Sequence, residues 1–210
     1  MYKELDISNW NRKEHFEFFK EFEEPFYGVT VKIDCTDAYL YCKQHNISFF
    51  LFYLHRSLCA ANAIEPFRYR MKDDRVLVFD QINCAATILR PDETFGFSYM
   101  DYHEDFSEFE KTATLEIEKV KNSTGLVPAS SGANVIHYSS LPWLNFTGLS
   151  HARSFSFPDS CPKISFGKLH EENGRKLMPV SIHVHHALMD GYHVGQFTDT
   201  FQSMMNDCAG

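Results

Sequence analysis

Three histidines, His183, His185 and His186, fall within four residues, and Asp190-Gly191 follows four positions after the last. Clustered imidazoles can bind a metal, serve a nucleophilic triad, move a proton, or simply pack. Along a strand the side chains alternate between faces, so His183 and His185 point one way and His186 the other. The adjacent pair is thereby parted, and no Cys or Glu stands nearby in the sequence to complete a ligand set, so no metal site is expected. A serine hydrolase prefers its nucleophile in a Gly-x-Ser-x-Gly elbow, which the sequence lacks. Two readings remain open on the residues alone. One is a packed histidine beside a helix cap. The other is a general base, which needs a neutral imidazole held in one tautomer on a rigid element such as a strand end.

The elements that must carry these residues follow from periodicity. "KISFGKLHEENGRKLMPVSIHVHH" reads as two strands around an Asn-Gly turn. "DGYHVGQFTDTFQSMM" places Val194, Phe197, Phe201 and Met204 on one helical face, with Asp190 available as N-cap. Upstream, "NRKEHFEFFKEF" opens with a capping-box pattern, Asn11 and Glu14, and predicts a helix over about residues 12–22 with Phe16, Phe19 and Phe22 on one side. "YGVTVKIDC" alternates like a strand, and "ISFFLFYLHRSLCAANAI" is apolar all round, as a buried helix is. "FRYRMKDDRVLVFD" is a hairpin pattern, and "CAATIL" and "TFGFSYMD" are further strands. "DFSEFEKTATLEIEKV" is an amphipathic helix, and "GANVIHYSSLPW" a loop entering a strand. No repeat or Pro/Gly linker divides the chain, so residues 1–210 are expected to form one mixed α/β domain.

Composition narrows the function classes. The net charge is −8 and no basic run occurs, which argues against nucleic acid or an anionic membrane surface as partner. Twenty Phe and ten Tyr suggest an aromatic core or an aromatic-lined pocket. The six cysteines show no CxxC or zinc-ribbon spacing and read as reduced thiols. "MYKELDISNW" has no apolar run, so no secretory signal is expected, and "SFFLFYL" is too short to span a bilayer. A cytoplasmic protein is expected.

The run His185-His186-Ala187-Leu188-Met189-Asp190-Gly191 resembles the His-His-x-x-x-Asp-Gly signature of the chloramphenicol acetyltransferase family, whose fold dihydrolipoamide acyltransferase cores share. The likeness is collinear over about residues 7–205. "NWNRKEHFEFF", "FRYRMKDD", "DETFGF", "SSLPWLNF" and "LMPVSIHVHHALMDGYHVGQF" are similar to that family's successive segments. The resemblance implies a two-layer CoA-dependent acyltransferase fold, a central mixed β-sheet with flanking helices, in a homotrimer with an active site at each subunit interface. It implies acetyl-CoA as co-substrate, a small alcohol such as chloramphenicol as acceptor, and antibiotic resistance as the outcome.

By the same resemblance His186 is the general base, and transfer is direct, with no acyl-enzyme. Ser139 matches the serine that stabilises the developing oxyanion. Asp190 and Arg12 match a pair that holds the loop in shape, and His185 is structural. Phe18 and Phe19 match acceptor-pocket positions. Ser165, a substrate-binding position, and Lys168, a cofactor-binding one, match a hydroxyl and a lysine near the CoA side. The chain departs from the pattern at Met189, where the family commonly has Cys, and at His151, which falls where an apolar acceptor-pocket residue is expected. His151 would wet that pocket. A different acceptor alcohol, or a binding protein that sequesters a hydrophobic ligand without turnover, are the alternatives.

Overall fold

The computed structural model describes residues 1–126, 132–153 and 159–208. Its frame is a mixed sheet in which β10 (Arg175–His185) is the longest strand. The order across the sheet is β2 (Phe26–Asp34), β10, β8 (Lys163–Phe166), β7 (Val135–Ser140), β5 (Asn83–Leu89) and β6 (Phe95–Met100). The β5–β7 and β7–β8 pairs are parallel, and β2–β10, β8–β10 and β5–β6 antiparallel. A short strand β9 (His170–Glu172) joins β10 through Asn173 and Gly174, both at positive φ (53° and 76°), the geometry that Asn-Gly favours. A separate three-stranded sheet holds β1 (Tyr2–Glu4), β4 (Arg75–Phe79) and β3 (Tyr69–Lys72).

Alternation along β10 decides the layering. Val180, Ile182 and Val184 are buried in the core with Phe197 and Phe201 of α5 (Gly191–Asn206) and Leu54 and Leu58 of α3 (Phe49–Ala63). Ser181, His183 and His185 therefore face away from the helices. α3 is buried on nearly every side, as its all-round apolarity requires, and α4 (Phe106–Lys121) buries Phe109, Ala113 and Val120. The guanidinium of Arg70 is fully buried and donates to the carbonyls of Phe67, Tyr69, Ala133 and Val135, tying the hairpin to the start of β7.

Several elements differ from expectation. The first helix, α1, runs only Lys13–Phe19, and its N-cap is Arg12, with no side-chain cap; the Asn11–Glu14 box does not form. Arg12 is instead drawn to Asp190, as described below, and Phe22 lies beyond the helix, 44% exposed. A helix α2 (Thr36–His45) was not expected, and β9 adds a strand to the two read from residues 163–186. In α5, Met205 completes the fully buried stripe, while Met204 is half-buried. None of the six cysteines forms a disulfide. Among the described residues no helix is long and apolar enough to cross a membrane.

Candidate active site

His186 sits one residue past the end of β10. Its backbone N–H donates to Pro25 O at 2.8 Å, and Met189 N–H returns to His185 O at 3.2 Å, closing a tight turn over His-Ala-Leu-Met. Ala187, Leu188 and Met189 are fully buried, so the turn is anchored in the core. The imidazole stacks on Phe19 (centroids 4.0 Å apart, planes at 21°) and leans on Tyr27 at 5.3 Å. Nδ1 lies 3.3 Å from Met189 O. A carbonyl oxygen can only accept, so this contact puts the proton on Nδ1 and leaves Nε2 with a free lone pair.

Asp190 divides its two oxygens. Oδ1 accepts the N–H of Tyr192 at 3.1 Å and caps α5, while Oδ2 accepts from Arg12 Nη1 at 2.5 Å. Arg12 Nη2 also donates to the carbonyl of His186 at 3.3 Å. One guanidinium thus grips both ends of the turn that carries the imidazole. Burial pushes the Asp190 carboxyl up, but the hydrogen bond and charge of Arg12 outweigh it and hold the group below the usual carboxylate range. The two side chains are 12% and 30% exposed, so removing one partner strands a largely desolvated charge. Asp190→Asn and Arg12→Val should each cost about 3 kcal/mol, the lower end for a buried pair. The double variant is expected to lose much less than the sum of the singles in urea unfolding, whereas strict additivity would mean that the two do not interact.

Ser139 lies on β7, on the sheet face turned away from the helices. Its Oγ is 2.6 Å from the hydroxyl of Ser165, which has no exposed surface. Ser165 thus holds Ser139 and cannot touch a ligand in this conformation. The sheet register pairs Ser139 with Ser165 and Ser165 with Ser181. His186 lies five residues beyond Ser181, a rise of about 17 Å at ~3.3 Å per residue. Within one chain, therefore, Ser139 and His186 do not meet.

The remaining candidates separate in the same way. Phe19 belongs with His186, whereas Phe18 is 64% exposed and touches Phe19 edge-on at 5.0 Å. His151 belongs with Ser139: both line a cavity of about 200 Å³ together with Ala85, Thr87, His137 and Lys163. Lys168 is exposed, and its backbone N–H donates to Leu144 O at 2.7 Å. An apolar groove of about 440 Å³ runs beside that turn, lined by Phe50, Leu51, Leu89, Ser140, Pro142 and Trp143. It meets the smaller cavity at Thr87 and the Ser139-Ser140 pair.

His185 packs as a structural histidine. It is 4% exposed, meets Phe26 edge-on, and accepts the N–H of Ala187 at Nδ1. Burial, and then the charge of Arg153, push it down to about 4, and burial with its histidine and lysine neighbours does the same to His151. Gly28, opposite His183, makes room for that ring, since a Cβ there would lie 2.4 Å from its Cδ2 and Nε2. Sequence reading missed a three-residue set, His137, Asp159 and Cys161, whose ligand atoms all lie within 4.8 Å of one another. The Lys163 ammonium is already bonded to Asp159 there, and a metal would have to displace it.

The two histidines held lowest, His151 and His185, make stability pH-dependent with a definite sign. Above ~6.5 both states are neutral and the full stability is present. As pH falls from there to about 4, the unfolded chain takes up protons that the folded one refuses, and stability is lost. The unfolding free energy from urea titration should drop across that window by about 1.4 kcal/mol per pH unit for each such histidine, and the midpoint with it. A midpoint constant between pH 6.5 and 4.5 would contradict these environments.

Comparisons with known proteins identify the family. The family model described as chloramphenicol acetyltransferase matches residues 1–202. A chloramphenicol acetyltransferase of Escherichia coli is 31% identical over 212 residues, covering 100% of this chain and 96% of its own. That of Proteus mirabilis is 31% identical over 206 residues, covering 97% and 94%. A solved chloramphenicol acetyltransferase superposes with a TM-score of 0.90 at 31% identity, covering 98% of this chain and 100% of its own. The catalytic core of a 2-oxoacid dehydrogenase complex from Thermoplasma acidophilum, 15% identical with a TM-score of 0.66 over 95% and 96% of the two chains, shares the fold alone.

Proposed function

The chain belongs to the chloramphenicol acetyltransferase family, and from that premise we propose that it is an O-acetyltransferase that uses acetyl-CoA and acts on a small alcohol, chloramphenicol or one like it. The observation that carries the proposal is the state of His186. Its Nδ1–H is spent on Met189 O, its ring is held by Phe19, and its turn is clamped by Arg12, so Nε2 is left as a fixed base. Nε2 takes the proton of the acceptor hydroxyl as that oxygen attacks the thioester carbonyl. The C–S bond then breaks, and the imidazolium returns the proton to the departing thiolate. Ser139 Oγ–H donates to the carbonyl oxygen as negative charge builds on it, a contribution worth ~10²–10³ in rate. Either hydroxyl of the Ser139–Ser165 pair can donate to the other, and the arrangement in which Ser165 donates frees the Ser139 proton for that task.

Two features of the chain fit the substrates. The apolar groove suits the arm of a thioester donor, with Lys168 on the neighbouring turn for its phosphates. The cavity that lies beyond Thr87 is left for the acceptor. The separation of Ser139 from His186 in one chain, ~17 Å along the strands with two strand spacings across the sheet added to it, calls for the serine of a second copy beside each histidine. A homotrimer with interface sites supplies that arrangement, and the exposed Phe18 and Phe22 near His186 are the surface it would cover. The deciding experiment is thiol release from acetyl-CoA against a panel of alcohols, chloramphenicol first, with sedimentation of the same sample. No release with any alcohol would sink the activity, and a monomer would sink the interface site.

A further inference from the structure

Register, not sequence proximity, assembles the wall of the small cavity beside Ser139. One lateral row crosses six strands: Tyr99, Ala85, His137, Lys163, His183 and Gly28 pair in turn. The neighbouring row carries hydroxyls, Ser139, Ser165 and Ser181. His151 closes over the first row, its ring edge-on to His183 at 4.8 Å. The cavity is therefore walled by two imidazoles and an ammonium, His137, His151 and Lys163, beside Ser139.

Two observations say what such a wall is for. The Nε2 of His151 is buried and has no hydrogen-bond partner among the described residues, a polar atom on the cavity wall waiting for one. The local charge is also unbalanced in a chain whose total is −8. Lys163 is bonded to Asp159, while the buried Arg70 beside them donates to four backbone carbonyls and reaches the Cys161 sulfur, with no carboxylate bonded to it among the described residues. Two cations thus stand against one carboxylate. We infer that the acceptor taken by this site is an alcohol that carries a carboxylate, whose oxygens bind between His137, His151 and Lys163 while its hydroxyl is presented to the reacting centre.

This rests on the acetyltransferase reading above and names the acceptor class for it. A neutral nitrophenyl or alkyl group in the same place would leave His151 unpaired and would desolvate Lys163 without return. Electrostatics are consistent. Burial, then His183, Lys163 and His137, hold His151 at about 4. His137 stays open to the cavity; crowding of its ring and then the Lys163 ammonium lower its proton affinity, with Asp159 opposing and Arg70 adding to the effect. A carboxylate bound among them would offset the lysine and raise both imidazoles.

The test compares 4-(hydroxymethyl)benzoate with its methyl ester in the full-length protein. The acid should be acetylated with a kcat/KM about tenfold or more above that of the ester, the scale of one hydrogen bond to a charged group. The double variant His137→Leu/His151→Leu should abolish that preference. So should Lys163→Met/Asp159→Asn, made as a pair so that neither leaves a lone buried charge. Equal or better turnover of the ester by the unaltered protein would overturn the inference while leaving acetyl transfer intact. If neither alcohol nor chloramphenicol releases thiol, the activity has failed, and the pocket is still decided by NMR. The C2–H signals of His137 and His151 should titrate at higher pH when the acid is added and not with the ester. Identical titrations with and without the acid would overturn the pocket itself.

Discussion

Replacing His186 with alanine is expected to lower acetyl transfer by about 10³–10⁴-fold while the protein still folds and assembles. A neutral alcohol is a poor nucleophile, and among the described residues near the turn only Nε2 of His186 is both basic and unspent. Arg12 is a cation committed to Asp190 and to the His186 carbonyl, and Asp190 has given both oxygens away. His193, the next imidazole, accepts the N–H of Asp190 at Nδ1 and caps α5. The turn itself is built by backbone hydrogen bonds and by Ala187, Leu188 and Met189, none of which the substitution touches. The ring lost is only half-buried and leaves Phe19 able to settle onto the turn. His185→Ala should show the reverse pattern, since that ring fills the core edge against Phe26. Its cost falls on stability. The check is thiol release from acetyl-CoA with thermal unfolding of both variants. More than a few per cent of the original turnover in His186→Ala would remove the base from the mechanism.

What could be read in the sequence, and what could not, follows from how each residue gets its meaning. The α3 stretch announces itself because every side of it is apolar. By contrast α2, "TDAYLYCKQH", buries only Ala38 and Cys42, a stripe too thin to stand out from a polar loop. Asp190 was legible as a cap from its position before the α5 stripe. Its second oxygen, turned to Arg12 across the chain, is invisible to spacing, and only the family likeness pointed to it. The absent Asn11–Glu14 box is the same fact seen from the other end: Arg12 occupies the cap position because Asp190 fixes it there. His137 and Lys163 carry no motif at all. They become a site only when the β7–β8 register sets them side by side.

The distance between Ser139 and His186 makes a further prediction, on mixing two crippled proteins. Ser139→Ala should retain only about 10⁻²–10⁻³ of normal turnover for want of its oxyanion donor, and His186→Ala less. If each site takes its histidine from one subunit and its serine from the next, a chain with Ser139→Ala still brings an intact His186. A chain with His186→Ala still brings an intact Ser139. In assemblies formed by co-refolding equal amounts, each interface has one chance in two of receiving a good histidine and one in two of facing a good serine. About a quarter of the interfaces should then be whole, and turnover should recover to about a quarter of the unaltered protein's. The gain is far above either parent and needs no new contact. It also does not depend on how much each variant loses, provided both lose most. A site contained in one chain predicts something different, because every polypeptide in the mixture then lacks either its base or its donor. Turnover after co-refolding would stay at the mean of the two parents, and a gap of ~17 Å along the strands, with two strand spacings across the sheet besides, would have to be closed by a rearrangement within the sheet. The neighbouring hydroxyl pair argues against such a movement. Ser139 is bonded to Ser165, which is sealed in the sheet, and shifting one strand past the other would turn every side chain of that strand to the wrong face.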